Sequence, residues 1–326
     1  MTKILVTGAG ALLGQGIIRA LQRSGLNPYL ISVDPSPLSA GLYWTDEYHL
    51  VPKADAPEYL DRFSEVLHRC KPDLVLVGTD VELLPLAENR ARLEQECGTT
   101  ILVSDPEVVH IADDKYKTFL FFRDAGFDAP ESAIPENSDD LEELIQSVGF
   151  PLIVKPRVGA RSFGVSTVLD RLSLDKALKG RAGLVVQKAI GSSEDEYTSS
   201  VVAFGGKALA SIVMRRDLRD GNTYRAFSGE YPNLNRAIRT WGEALGPFGP
   251  ANFQFRIDAD GKPKVFEINA RFSGATPLRA MVGFNEVEMC VRHLLFEEDI
   301  HQPSVAQRTI LRHWSETLVP SREISE

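Results

Sequence analysis

The sequence predicts an α/β protein with a parallel sheet in its first third and antiparallel strands in the rest. Up to about residue 107, short apolar strands alternate with amphipathic helices, which is typical of a parallel sheet covered on both faces. Beyond that point the strands follow one another closely, and Asp-Ala-Asp-Gly-Lys at 258–262 is a hairpin signal. We therefore expect an α+β section after a boundary near residue 107.

The N-terminal third alternates strands and helices. Strands are predicted at 3–7, 29–34, 48–51, 73–78 and 100–104. Helices are predicted at 14–24, at 57–70 and from Glu82 onward, because apolar residues recur there at helical spacing.

The remainder begins with helices at 105–125 and 139–150. Strands follow at 151–156, 163–168, 183–188, 196–204 and 207–214, and then a polar, Arg-rich loop at 215–227 that could close over a site. After a helix at 234–245, the sequence predicts strands at 251–258 and 263–269, helices between 276 and 296, and a last strand at 308–314.

The composition is that of a globular protein, with 43% hydrophobic and 25% charged residues among 326. A net charge of -9 argues against nucleic acid and anionic membranes as main partners. The three cysteines show neither a CxxC pair nor Cys/His metal spacing, so we expect reduced thiols in the cytoplasm, without a zinc site or disulfides. The chain opens on a strand and has no long apolar run, so neither a signal peptide nor a membrane span is expected.

The opening stretch ILVTGAGALLGQGII suggests a dinucleotide-binding turn. Its glycines are Gly8, Gly10 and Gly14, and Leu13 occupies the place of the third glycine in GxGxxG. Asp34 ends the second strand, where a ribose-binding acid would lie. None of the tyrosines is followed four residues later by a lysine, as a dehydrogenase or epimerase of this kind needs. We favour a purely structural turn and keep an NAD-dependent epimerase or dehydrogenase as the alternative from another class.

The candidate binding and catalytic residues lie mostly beyond residue 110. In FPLIVKPRVGARSFGVSTV (150–168), a strand ends at Lys155 and a loop containing Gly159 and Gly164 follows. Backbone N–H groups of such a loop can hold phosphate oxygens, with Arg157 and Arg161 adding charge. The stretch is not a Walker A loop, because no Gly-Lys-Ser/Thr follows.

A second stretch, 184–202, runs from an apolar strand into a hinge at 187–190 and a polar turn. The hinge backbone can bind an adenine edge, and Glu196 beyond the turn can accept hydrogen bonds from ribose hydroxyls.

The third stretch is ANFQFRIDADGKPKVFEINARFSGATPL (251–278). Glu267 and Asn269 lie two apart on one strand and so share a face, which Gln254 on the hairpin partner can oppose. Carboxylate and amide oxygens suit Mg²⁺. Arg271 follows on the same side, and the helix beginning in 273–278 could hold an anion at its N-terminus.

Together, these stretches resemble the ATP-grasp superfamily over about residues 3–300, in particular carbamoyl phosphate synthase large-subunit synthetase domains and similar carboxylate–amine ligases. Residues 113–132, DDKYKTFLFFRDAGFDAPES, match the family's first lysine segment. The resemblance implies a Rossmann-like pre-ATP-grasp domain at 1–107, a small lid subdomain at 108–184 and a C-terminal ATP-grasp subdomain at 185–326.

The resemblance also implies roles for individual residues. The residues implied to bind ATP are Lys115, Lys155, Gly159, Ser162, Gly164, Gln187, Lys188, Ala189, Ile190 and Glu196. The metal ligands for Mg²⁺, or Mn²⁺ in its place, would be Gln254, Glu267 and Asn269, and the catalytic residues would be Arg271 and Lys155. Two positions depart from the usual pattern, since Gln254 and Lys188 stand where acids are common.

The implied reaction is ATP-dependent amide formation from a small-molecule carboxylate and an amine. ATP would phosphorylate the carboxylate, and the amine would displace phosphate from the acyl phosphate, releasing ADP and phosphate. Phosphorylation of bicarbonate or carbamate, as in carbamoyl phosphate synthesis, is the alternative within this fold, and nucleotide binding without catalysis is a third. A homodimer through the N-terminal sheet is also expected by resemblance.

Overall fold

The computed structural model describes residues 1–159, 162–321 and 324, with only the backbone described at Ser193. Within these residues the strands form three sheets, one parallel and two antiparallel, which confirms the expected α/β class. Arg161, named above as a source of charge in the glycine-rich loop, lies outside the described residues.

The N-terminal part is built around the parallel sheet. Its strands are β1 (Lys3–Val6), β2 (Tyr29–Asp34), β3 (Glu47–Leu50), β4 (Leu74–Leu76) and β5 (Thr100–Leu102), and its helices are α1 (Leu12–Gln22), α2 (Tyr59–Cys70) and α3 (Leu83–Cys97). The strand order is β3-β2-β1-β4-β5. In β1, Ile4 and Val6 pack with α1, whereas Leu5 packs with α2 and α3. The sheet is therefore covered on both faces, as the alternation predicts.

Two helices follow β5 where the sequence predicts one. They are α4 (Pro106–Asp113) and α5 (Lys115–Asp124). The break lies at Asp114, whose backbone is extended and whose carboxylate accepts hydrogen bonds from the N–H groups of Tyr116 and Lys117. Both helices pack on the C-terminal part, where Phe122 contacts the rings of Trp241 and Phe253. Val108, Ala112 and Phe122 therefore share a core with that part, whereas Val109 belongs to a buried cluster of the parallel sheet.

A small antiparallel sheet comes next. Its strands are β6 (Ser132–Ala133), β7 (Leu152–Pro156), β8 (Ser166–Val168) and β9 (Leu184–Lys188), accompanied by α6 (Ser138–Val148) and α7 (Arg171–Leu178). The order is β6-β9-β7-β8, and the sheet has a hydrophobic cluster of its own. Because β9 pairs with β6 and β7, this sheet runs on to Lys188, past the boundary predicted after residue 184. Helix α7, which was not predicted from the sequence, begins after a capping box between Asp170 and Ser173.

The large antiparallel sheet fills the C-terminal part. Its strands are β10 (Glu196–Phe204), β11 (Lys207–Arg219), β12 (Asn222–Ser228), β13 (Gly249–Ile257), β14 (Pro263–Asn269) and β15 (Thr309–Leu311), and its helices are α8 (Pro232–Leu245), α9 (Thr276–Met281) and α10 (Glu286–Phe296). The strand order is β14-β13-β10-β11-β12-β15.

The predicted loop at 215–227 is instead a β-hairpin. β11 continues to Arg219, and β12 begins at Asn222. Asp220 and Gly221 both have positive φ values, 51° and 70°, as a tight two-residue hairpin turn requires. The hydrogen bonds between β11 and β12 fix most of this segment in the sheet, which corrects the interpretation of 215–227 as a closing loop.

The N-terminal sheet and the large sheet share one hydrophobic core. Ile17 and Leu21 of α1 belong to the same buried cluster as Phe284 and Cys290, and as Met214 of β11. The two parts are thus packed into one body along α1, α9 and α10. Among the described residues, none of the helices has both the length and the apolar character that crossing a membrane requires.

Candidate active site

Lys155 joins the small sheet to the large one. It lies near the end of β7, and its Nζ donates hydrogen bonds to Gln187 Oε1 of β9 at 2.9 Å and to the Phe266 carbonyl of β14 at 3.2 Å. Burial lowers the pKa of Lys155 to about 7; Glu267 opposes this shift, and the positive charge of Lys115 adds to it. Lys155 is therefore a buried amine held directly beside the strand that carries the predicted metal ligands.

Lys115 approaches the same region from α5. Its backbone N–H donates to the Arg157 carbonyl at 3.0 Å, and its Nζ donates to the Gly159 carbonyl at 2.7 Å. Arg157 is held by the Asp114 carboxylate, with a shortest N–O distance of 2.5 Å. Burial alone would raise the pKa of Asp114, but the hydrogen bonds and the charge of Arg157, together with the N–H groups of Tyr116 and Lys117, outweigh it and lower that pKa. Arg157 thus anchors the start of α5, which differs from its predicted role of supplying free charge to phosphate.

The glycine-rich loop after β7 has the backbone freedom that the prediction needs. Gly159, Ser162 and Gly164 have positive φ values of 139°, 55° and 73°. The Gly159 carbonyl turns toward Lys115, and the Gly164 carbonyl accepts a hydrogen bond from Arg181 at 3.0 Å. Their contact with phosphate stays a prediction.

The hinge at 187–190 is tied into the small sheet. The Gln187 side chain is buried between Lys155 and Ser132. The backbone N–H groups of Lys188 and Ala189 donate to the carbonyls of Glu131 and Pro151. The Ile190 carbonyl accepts a hydrogen bond from Arg256 at 3.3 Å. An adenine base at this hinge would have to use the remaining backbone groups.

Glu196 lies between two arginines. Its Oε1 accepts hydrogen bonds from Arg216, the shorter at 2.7 Å, and its Oε2 accepts from Arg256, the shorter at 2.8 Å. Both carboxylate oxygens are therefore engaged within the protein, and the predicted contact with ribose stays a prediction. Neither arginine was predicted from the sequence, although Arg256 lies two residues after Gln254 and so shares its side of β13.

The predicted metal ligands do converge on one point of the β13–β14 hairpin. The strand register places Gln254 opposite Glu267. Glu267 Oε1 accepts hydrogen bonds from Gln254 Nε2 at 3.1 Å and from Asn269 Nδ2 at 3.2 Å. One carboxylate and two amides form a donor set that fits Mg²⁺, provided that both amides rotate to turn their oxygens toward Glu267. At present the Gln254 oxygen accepts from Arg216 at 2.6 Å.

Arg271 closes the row of side chains and links it to the N-terminal domain. Its Nη2 donates to Asn269 Oδ1 at 2.8 Å, and its Nε donates to Asp80 Oδ1 at 2.6 Å. Asp80 follows β4 in the parallel sheet and was missed in the sequence analysis. Its position just after the carboxyl end of a parallel strand is the signal that could have revealed it.

The helix start at 273–278 differs from its prediction. The N–H groups of Ser273 and Ala275 donate to side-chain oxygens of the same turn, and the N–H of Thr276 donates to the Ser273 carbonyl. These groups are already satisfied, so this turn does not offer them to an acceptor anion.

The glycines of the opening turn allow close packing of the backbone around it. A Cβ added at Gly14 would lie 2.2 Å from the Gly8 carbonyl oxygen, and one added at Gly10 would lie 2.2 Å from Ser39 Oγ. Asp34 accepts hydrogen bonds from the Gly10 N–H at 2.7 Å and from Ser39 Oγ at 2.6 Å. The acid that would meet a dinucleotide ribose therefore closes the turn itself, which favours the structural interpretation.

Comparison with known proteins assigns the fold. Two family models match the chain: "PylC-like, N-terminal domain" over residues 4–102, and "ATP-grasp in the biosynthetic pathway with Ter operon" over residues 184–317. The carbamoyl phosphate synthase large chain of Methanosarcina mazei is 29% identical over 192 residues, which are 54% of this chain and 17% of that protein. The chain thus spans about a sixth of that relative's length.

Solved structures agree. N5-carboxyaminoimidazole synthetase from Staphylococcus aureus, complexed with ADP, matches with a TM-score of 0.74 and 16% identity, over 93% of this chain and 80% of that one. The biotin carboxylase domain of Hydrogenobacter thermophilus 2-oxoglutarate carboxylase, a dimer with MgADP, ADP and bicarbonate, matches with a TM-score of 0.69 and 18% identity, covering 90% of this chain and 69% of that one. The matched model thus assigns residues 184–317 to the ATP-grasp family, and the chain as a whole shares the fold of these two structures.

Proposed function

We propose that the protein is an ATP-dependent carboxylate–amine ligase that forms an amide through an acyl phosphate and releases ADP and phosphate. One observation carries the proposal. Lys155 Nζ is bound to the Phe266 carbonyl, one residue from Glu267, so the lysine of the small sheet meets the acidic strand of the large sheet. A lysine and a carboxylate that come together from two different sheets suit a nucleoside triphosphate with its divalent cation.

The two lysines would bind the phosphates. A carboxylate is a poor electrophile, and phosphorylation makes it reactive toward an amine. Phosphoryl transfer needs positioning and neutralisation of spread negative charge more than covalent help from the protein. Lys115 and Lys155 now donate to neutral oxygens, which charged phosphate oxygens can replace with stronger hydrogen bonds.

Gln254, Glu267 and Asn269 would hold the divalent cation, which supplies charge neutralisation between the phosphates when bound. Arg271 would stabilise the transferring phosphoryl group, with Asp80 and Asn269 fixing the plane of its guanidinium group. The small sheet, which has its own core, could close toward the large sheet and keep water from the acyl phosphate.

The experiment is a screen for ADP release with ATP, Mg²⁺ and pairs of candidate carboxylates and amines, among them amino acids, hydroxy acids and sugar acids. We expect ADP formation that needs both substrates and is lost in Lys115→Ala. The matched control is Lys117→Ala, because Lys117 is exposed on the same helix and should leave the rate unchanged. Nucleotide binding without ADP formation across the screen would favour a module without catalysis.

A second candidate is phosphorylation of bicarbonate to carboxyphosphate. It is favoured by the two structural neighbours, one named as an N5-carboxyaminoimidazole synthetase and the other solved with bicarbonate. Bicarbonate-dependent ADP release in buffers stripped of organic carboxylates would support it. Location in the cytoplasm and a homodimer also stay proposals; light scattering of the purified chain would decide the oligomeric state.

A further inference from the structure

Three side chains of types that can bind metal ions form a cluster in the N-terminal domain, apart from the proposed nucleotide site. Glu47 and His49 share one face of the edge strand β3, and Cys70 ends helix α2. His49 Nε2 lies 2.8 Å from Glu47 Oε1 and 3.0 Å from Cys70 Sγ, and Cys70 Sγ lies 3.5 Å from Glu47 Oε1. The fold thus joins residues that sequence spacing does not suggest.

The three donor atoms converge on a single point. In a proton relay, a histidine contacts its two partners through opposite ring nitrogens. Here both the carboxylate and the thiol contact the same nitrogen, Nε2 of His49. The three donor atoms therefore form a closed triangle, which is the geometry expected of side chains that bind one metal ion together.

The size and chemistry of the triangle suit zinc. Thiolate, imidazole and carboxylate are the usual ligands of Zn²⁺, with metal–ligand bonds of about 2.0 to 2.3 Å. A tetrahedral ion with such bonds has donor–donor edges of about 3.3 to 3.6 Å. The present edges of 2.8, 3.0 and 3.5 Å need to lengthen by about half an ångström at most.

The surroundings hold the donors in place and leave one side open. The Tyr29 hydroxyl donates to Glu47 Oε2 at 3.3 Å, which leaves Oε1 facing the cluster. Lys3 Nζ donates to the Cys70 carbonyl at 3.0 Å and fixes the end of α2. Cys70 is buried, whereas the side chains of His49 and Glu47 are 17% and 33% exposed, so solvent can reach the cluster from their side.

We propose that Glu47, His49 and Cys70 bind a zinc-like divalent cation, with water as the fourth ligand. The bound ion would tie the edge strand β3 to the end of α2. None of these residues belongs to the nucleotide site, so the proposal stands or falls independently of the proposed ligase activity.

The test is cobalt binding to the full, reduced protein after metals have been removed with a chelator. Co²⁺ bound to a thiolate gives a charge-transfer absorption in the near ultraviolet. We expect one Co²⁺ per chain, loss of the band on adding Zn²⁺, and a Zn²⁺-dependent rise in Tm.

Cys70→Ser should abolish the thiolate band, whereas the matched control Cys97→Ser should keep it. Cys97 lies in the same domain, with His68 Nε2 at 3.8 Å. If Cys70→Ser does not fold, Glu47→Gln on the partly exposed edge strand takes its place, and it should weaken Co²⁺ binding by at least the roughly tenfold that loss of an outer partner of a ligand costs. A folded wild-type protein without a cobalt band, a band lost in Cys97→Ser, or an unchanged affinity for Co²⁺ in Glu47→Gln would overturn the proposal.

Discussion

At the scale of single residues, Lys155 shows how burial prepares a side chain for an anionic ligand. Its pKa of about 7 means that the free protein holds it about half neutral near pH 7. Phosphate oxygens favour the charged ammonium form, so a nucleotide would raise this pKa on binding.

We therefore expect ADP binding at pH 8 to take up about one proton, and its affinity to fall about tenfold per pH unit above pH 7. Calorimetry in two buffers of different ionisation enthalpy counts the proton. In Lys155→Arg the side chain stays charged, so the proton uptake should disappear. An uptake that is unchanged in this variant would show that another group titrates.

Two arginine–glutamate pairs in α9 and α10 differ in burial. The Arg279–Glu286 pair is completely buried, and Arg279 Nη2 also donates to Asn252 Oδ1 at 2.6 Å. The Arg292–Glu288 pair is partly exposed. We expect Arg279→Leu to lower the free energy of unfolding by about 3–5 kcal/mol, because it leaves a buried carboxylate without its partner.

Arg292→Leu should lower the same free energy by less than about 1 kcal/mol, because an exposed pair contributes little. Urea unfolding of both variants measures the difference. Equal losses in the two variants would contradict the role assigned to burial.

Sequence could predict the residues that local periodicity brings together. Glu267 and Asn269 were identified because alternate residues of a strand share a face, and the hairpin signal brought Gln254 opposite them. Asp80 was missed because it reaches Arg271 from another domain, 191 positions away in the chain. For Glu196, the buried partner Arg216 and the partly exposed partner Arg256 come from two different strands, which no local pattern indicates.

At the scale of elements, the strands and helices of the parallel sheet followed from their apolar spacing. The predicted and observed elements differ where one or two polar residues determine whether a helix or strand ends. The hairpin turn at Asp220 and Gly221 needed the positive φ values of a two-residue turn, and the break between α4 and α5 depends on capping by Asp114. Both depend on one or two residues within stretches of otherwise ambiguous pattern.

The packing of α1 on β1 gives a prediction at this scale. Gly14→Ala should lower the free energy of unfolding by about 1–3 kcal/mol or more, because its Cβ would lie 2.2 Å from the Gly8 carbonyl oxygen. Gly25→Ala is the matched control, because its Cβ would meet only an Arg292 nitrogen at 3.9 Å. Chemical denaturation measures both; a tolerated Gly14→Ala would contradict the packing role.

At the scale of the whole molecule, the hydrophobic clusters do not follow the division of the chain into three sheets. The small sheet has its own hydrophobic cluster, whereas the N-terminal sheet shares the cluster on its α1 face with the large sheet and has a separate cluster on its α2–α3 face. The predicted boundary near residue 107 follows the change in strand pattern, but strand pattern cannot reveal a shared core.

Native-state hydrogen exchange should therefore separate the small sheet from the rest. In low urea, we expect amides of β7 and β9 to exchange first, and those of β1 and β10 to exchange together at higher urea. Addition of ADP should delay exchange in the small sheet. Exchange of β1 well before β10 would contradict the shared core.

The shared core also constrains how such chains can be recombined. A chimera that takes residues 1–102 from a relative would place a foreign α1 against the native Phe284 and Cys290. Successful grafts should therefore transfer the segment spanning α9 and α10 from the same relative as the N-terminal domain, although the two segments lie far apart in the sequence.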